Sequence, residues 1–173
     1  MRSNGFKVPP RSIETICSTA NQIRSLLHPN TSRFVDIVRV LDIILPSLIP
    51  EFEFEICTFD ELGSDHGRTY PDQLRIQIRE DIYEGAICEH GRDRFTLAHE
   101  LGHLVLHQDV PFAHNTTSSL NMKIYENSEW QADIFASTFL MPDEIIKNCA
   151  NVDEIAQKCK VSISAARVRT LRK

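Results

Sequence analysis

Apolar residues change their spacing twice along this chain, from a helical interval to strict alternation and back. Between Ser12 and Leu27, Ile13, Ile16, Ala20, Ile23 and Leu27 recur three or four residues apart, which predicts a helix stopped by His28-Pro29. A second helix is predicted from about Arg33 to Leu45, ended by Pro46. The period then falls to two. Phe52, Phe54 and Ile56 alternate with Glu51, Glu53 and Glu55, the rhythm of a half-exposed strand. Glycine-containing Glu61–Arg68 reads as a loop, Leu74, Ile76 and Ile78 alternate again, and Tyr83-Glu84-Gly85-Ala86-Ile87 reads as a further short strand. Helical spacing returns from Arg94 to His107 and from about Glu129 to Leu140, with an irregular stretch, Val110 to Asn127, between them. Helices, then a small sheet, then helices that must pack together make an α+β chain.

Beyond Val152 the pattern is helix, short turn, helix, with Ile155-Ala156 and Val161-Ser162 at helix-turn-helix spacing. Lys160 stands where that motif's turn glycine is expected. The predicted organisation is one domain over 1–150, its N-terminal helical part at about 11–46, with a small basic helical tail at 151–173 packed on it or appended to it.

Charge sharpens this division. The net charge is −5, yet no acidic residue follows Glu154, while Lys158, Lys160, Arg167, Arg169, Arg172 and Lys173 fall in the tail. An acidic body does not suit a nucleic-acid clamp, while a basic tail can touch an acidic surface or simply be solvated. The opening MRSNGFKVPPRS has no apolar core of a secretory signal, and VLDIILPSLIP is too short to span a bilayer. Five scattered cysteines without Cys-x-x-Cys spacing argue against a disulfide scaffold or a thiolate zinc site. The expected location is a reducing cytoplasm, with no membrane association.

Candidate chemistry lies in Phe95-Thr-Leu-Ala-His-Glu-Leu-Gly-His-Leu-Val-Leu-His107. His99 and His103, four apart on a helix, share one face and can reach one metal ion. Glu100 points about 100° away, beside the metal, where a carboxylate can take a proton from a water that Zn2+ activates. Leu97, Leu101, Leu104 and Val105 bury this helix, so its polar groups need partners. Gly102 implies that something packs closely there.

A catalytic zinc needs a third protein ligand. The extended pattern with glycine at 106 and histidine at 109 fails, because those positions hold Leu106 and Asp109. His107 lies too far along the helix axis from His99 to complete the set and reads as a structural or pocket-edge histidine. The better candidate is Glu129. Ser128 with Gln131 is expected to form a capping box, placing Glu129 in the first turn, where the helix dipole favours a carboxylate. Asp133, one turn on, is placed to accept the second N–H of a ligand histidine, and Ala132 and Ala136 let two helices approach. His114 and Tyr125 are candidate transition-state stabilisers.

Arg94-Phe-Thr-Leu-Ala-His-Glu-Leu-Gly-His-Leu-Val-Leu-His107, followed by Glu129-x-x-Ala-Asp-x-Phe-Ala and Phe139-Leu-Met-Pro142, resembles the ImmA/IrrE family of metallopeptidases, over roughly residues 70–171. The resemblance implies a zincin-like fold, a small sheet packed on the active-site helix and a second ligand-bearing helix. It also implies His99, His103 and Glu129 as zinc ligands and Glu100 as catalytic acid/base. The implied substrate is a helix-turn-helix (XRE-like) repressor or antitoxin, in prophage, mobile-element, stress-response or toxin–antitoxin regulation. The rival reading is a zincin-fold regulator or toxin component that sequesters its partner without cleavage.

Overall fold

The computed structural model describes residues 5–28, 34–108 and 122–171. Helix α1 (Ile13–Leu27) forms where the spacing places it. Ser12 caps it by accepting from the Thr15 N–H, and Ile16, Ala20, Arg24 and Leu27 face inward. Arg24 is tolerated there because its Nη1 donates to the Phe139 carbonyl oxygen at 2.6 Å.

The second helical stretch is less regular than expected and passes through Pro46. It runs as α2 (Ile37–Arg39), a widened π turn (Val40–Ile44) and α3 (Leu45–Leu48), with Pro46 in the first turn of α3. Proline has no N–H and its ring would crowd the carbonyl four residues back. The π turn, closed by the Leu45 N–H on the Val40 carbonyl, absorbs that conflict.

Three strands make the sheet: β1 (Glu53–Cys57), β2 (Gly67–Tyr70) and β3 (Arg75–Arg79). The order is β1-β3-β2, with β1 parallel to β3 (Ile56 opposite Ile78) and β2 antiparallel to it (Thr69 opposite Ile76). The expected loop at 61–68 instead contains the end of α4 (Phe59–Leu62) and the start of β2. The Glu61 carboxylate reaches back to the Thr58 N–H at 2.7 Å and secures α4, while β2 gains its partners only from β3.

Tyr83–Ile87, expected as a strand, belongs to helix α5 (Glu80–Ile87). Acidic Glu80 and Asp81 suit the first turn, and Ile82, Gly85 and Ala86 bury one face at helical spacing. Helix α6 (Gly91–Leu106) follows. After a single 3-10 turn (Ile124–Glu126) comes α7 (Ser128–Leu140), then α8 (Asp143–Lys147), α9 (Val152–Cys159) and α10 (Ile163–Leu171). The architecture is α+β. No helix among the described residues is long and apolar enough to cross a membrane.

The core forms where α6 and α7 pack together, with α1 against α7 and β2 against α6. The two tail helices close onto this body: Ile155, Cys159, Val161 and Ala166 are buried in the same core. Lys160, at the position expected for glycine, has the left-handed backbone that the turn demands (φ 52°). Its carbonyl oxygen accepts from Arg94 Nε at 3.0 Å, its ammonium pairs with Glu89, and it lies over the Phe34 ring.

The turn rests on the start of α6. A methyl group at Gly91 would come 2.4 Å from the Val161 carbonyl carbon and 2.5 Å from the Ser162 nitrogen, both backbone atoms. Gly91→Ala is therefore expected to push the tail off α6 and cost about 2 kcal/mol or more. Thermal unfolding should show a midpoint roughly 4–8 °C lower; an unchanged midpoint would mean that the tail yields freely.

Candidate metal centre

Helix α6 carries two imidazoles on one face. His99 and His103 meet edge to face, ring centroids 4.7 Å apart, with their Nε2 atoms separated by 3.0 Å. Glu129, in the first turn of α7, completes the group. Its Oε2 lies 3.3 Å from His99 Nε2 and its Oε1 3.4 Å from His103 Nε2. One ligand atom from each residue falls within 4.8 Å of the others, so the three could hold one metal ion.

The approach of the two helices sets this geometry. A Cβ on Gly102 would lie 3.1 Å from Phe135 and 3.2 Å from the Cα and carbonyl oxygen of Ala132. Ala132 and Ala136 are fully buried along the same contact. Small residues on both sides thus allow the backbone approach that places the Glu129 carboxylate between the imidazoles.

The start of α7 is capped differently from the expectation. Asn127 is the cap, its Oδ1 accepting from the Trp130 N–H at 3.1 Å. Ser128 and Gln131 are instead completely buried. Ser128 Oγ accepts from the Phe6 N–H at 3.0 Å, and Gln131 Nε2 donates to the carbonyls of Pro9 and Tyr125. The N-terminal segment, packed over the helix start, takes the hydrogen bonds that a reciprocal capping box would have made.

Surrounding charges tune the group. His99 Nδ1 lies 3.0 Å from Asp133 Oδ1. Burial pulls the His99 imidazole down, but hydrogen bonds to Asp133 and Glu129 and the charge of Glu100 outweigh it and push it up to about 10. Burial would raise the Glu129 carboxyl, yet the neighbouring His103 and His99 imidazoles hold it well below the usual carboxylate range. The pocket thus concentrates negative charge and attracts a cation.

Glu100 faces the same cleft, 8% exposed. Its Oε2 accepts from Thr69 Oγ1 at 2.6 Å. A methyl at Gly67 would lie 2.9 Å from Glu100 Cγ and 3.0 Å from Oε1, so β2 leaves room for that side chain only because residue 67 is glycine. Neither contact is legible in the sequence. Four-residue β2 is too short to show alternation, although Thr69 and Tyr70 are good strand formers.

His107 is buried beneath the N-terminal segment, away from the cleft edge, 3.2 Å from His103 Nδ1 through its own Nδ1. Burial and the charge of His103 push it down to about 3, against a smaller opposing hydrogen bond to Gln131. Tyr125 is 38% exposed, sits under Lys123 and is not among the residues lining the cleft. His114 lies outside the described residues. The cleft, about 1230 Å³, is lined instead by His66, Tyr70, Phe95 and Phe6, and by Ser162, Ala165 and Val168 from the tail.

Comparison with known proteins places this arrangement. A solved structure described as a Mycobacterium tuberculosis transcriptional regulator matches with a TM-score of 0.57 at 16% identity, over 95% of this chain and 53% of that one. The two share a fold, and this chain spans about half the length of the regulator. No curated protein matches the sequence. The model of the IrrE N-terminal-like domain, Peptidase M78, matches residues 57–171, which hold both helices of the cluster and the tail. By that match the chain belongs to the IrrE N-terminal-like, or ImmA/IrrE, family of metallopeptidase-like domains.

Proposed function

We propose that this chain is a zinc-dependent endopeptidase of zincin-like architecture, hydrolysing a peptide bond in one partner protein. The observation that carries the reading is the convergence of His99, His103 and Glu129 in a cleft beside a further carboxylate, Glu100. With its Nδ1–H donated to Asp133, His99 turns Nε2 toward the cluster, where a metal ion can replace the proton. The Nε2 atoms of His99 and His103 lie 3.0 Å apart, close enough for one cation to bind both. Tetrahedral zinc with bonds of about 2.0–2.1 Å separates its ligand atoms by about 3.3 Å. The separations here are 3.0, 3.3 and 3.4 Å. Two imidazoles and one carboxylate also form a catalytic donor set, which keeps a position for water.

Zinc held by these residues supplies Lewis acidity, activating water and polarising the scissile carbonyl. The protein supplies the proton transfers. Thr69 anchors Glu100 through Oε2, leaving Oε1 to accept a proton from the attacking water and return it to the leaving amine. Strand β2, the sheet edge bordering the cleft, offers backbone along which an extended peptide can lie. Tyr70, Phe95 and Val168 add apolar wall.

The proposed partner is a helix-turn-helix repressor of the XRE-like kind. Support for it comes from the family resemblance, and a fold shared with a protein described as a transcriptional regulator agrees with a regulatory role.

Glu129→Gln is expected to lose most bound zinc in equilibrium dialysis, because a neutral amide is a far poorer ligand than a carboxylate. Full occupancy in that variant would remove Glu129 from the ligand set. Glu100→Gln should keep zinc at about one per chain while cutting turnover about 10²–10⁴-fold. The assay is incubation of wild type and variant with candidate helix-turn-helix proteins of the XRE-like kind. Cleavage by wild type alone supports the peptidase; tight binding with no cut by either would replace it with a sequestering regulator.

A further inference from the structure

We propose that His107 and Gln131 are positioning residues of the metal centre, and that together they decide which nitrogen of His103 carries its proton. The inference rests on the reading of His103 as a metal ligand.

The chain of reasoning begins at Gln131, which is 0% exposed. Its Nε2 lies 2.9 Å from the Pro9 carbonyl oxygen and 2.8 Å from that of Tyr125. Both carbonyls can only accept, so both amide hydrogens are committed and the amide has a single orientation. The Gln131 Oε1 then faces His107 Nε2 at 3.3 Å. An amide oxygen can only accept, so His107 Nε2 must carry hydrogen.

His107 is 1% exposed, and burial disfavours its charged form. A neutral ring protonated at Nε2 has a bare Nδ1, which lies 3.2 Å from His103 Nδ1. His103 must therefore donate from Nδ1, leaving its Nε2 lone pair aimed at His99 Nε2 and the Glu129 carboxylate. Each ring thus presents the nitrogen that a metal needs: His99 through Asp133, His103 through a neutral imidazole and an amide.

The relay ends on main chain fixed by segments far apart in sequence. The Val8 N–H donates to the Glu126 carbonyl and the Arg11 N–H to that of Tyr125, tying residues 8–11 to the entry of α7. Arg11 Nη2 also donates to the Leu106 carbonyl at the end of α6. Phe6 stacks on His103 and meets His107 edge-on, centroids 6.4 and 5.8 Å away, shielding the contact between the two rings. The N-terminal segment, outside the region matched by the family model, is thereby made part of the metal centre.

Two measurements test this, neither requiring cleavage. Long-range 15N–1H correlation spectra of metal-free wild type should show His103 protonated at Nδ1 and His107 at Nε2; the opposite tautomer of either ring overturns the relay. In chelator competition, His107→Phe should bind zinc about 10–100-fold more weakly than wild type. His107→Gln, whose amide oxygen can accept from His103, should recover most of that affinity. A folded His107→Phe that holds zinc as tightly as wild type overturns the proposal, as does a His107→Gln no better than the phenylalanine variant. Should His107→Phe fail to fold, the tautomers of wild type decide. A protein that shows both effects and cuts nothing would refute the peptidase and leave the relay standing.

Discussion

At Gly102, helix α6 approaches α7 so closely that a single methyl group would press on the Ala132 backbone at 3.2 Å. Everything about the cluster follows from that distance. Glu129 belongs to α7 and the imidazoles to α6, so their meeting depends on helix separation, which only small residues permit. Glycine within α6 costs about 1 kcal/mol of helix propensity against alanine, and the close contact is what that conformational cost allows.

The same packing creates an electrostatic problem. Leu97, Leu101 and Leu104 bury α6 in apolar surroundings, yet the helix also carries His99, Glu100 and His103. Leaving any one of these without a partner would cost roughly 1–3 kcal/mol. Each has one: His99 has Asp133, Glu100 has Thr69, and His103 has His107. The partners come from α7, from β2 and from His107 at the end of α6, so the packing of two neighbouring elements and the end of the helix must all be right for the cluster to form. A site assembled this way resists loosening, because each polar group is held both by its hydrogen bond and by the apolar wall behind it.

Both ends of the described chain support the centre. Residues 6–11 bond to the entry of α7 and to the end of α6. The tail docks on Gly91, gives its Lys160 carbonyl to buried Arg94, and turns Ser162, Ala165 and Val168 toward the cleft. Helix α10 thus helps shape the cleft. Arg169 fastens this helix by donating to the Met141 carbonyl and pairing with Asp143.

Much of the local structure was written in the sequence. The spacing of Ile16, Ala20 and Leu27 determined α1, the glutamate alternation determined β1, and the four-residue interval between His99 and His103 put both rings on one face. These are short-range properties, fixed by backbone periodicity alone. Local pattern also misled: Tyr83–Ile87 has strand-forming residues, but acidic Glu80 and Asp81 and a helical buried face make it α5. Tertiary structure alone decided the rest. Thr69 reaches Glu100 only because β3 captures β2 as an edge, and Gln131 leaves the helix cap for His107 only because residues 6–9 cover it. Such contacts join positions 31 and 122 residues apart, and no periodicity encodes a partner at that separation. Residue type and spacing determined which side chains carry chemistry; the packing of distant segments decided which atoms face one another.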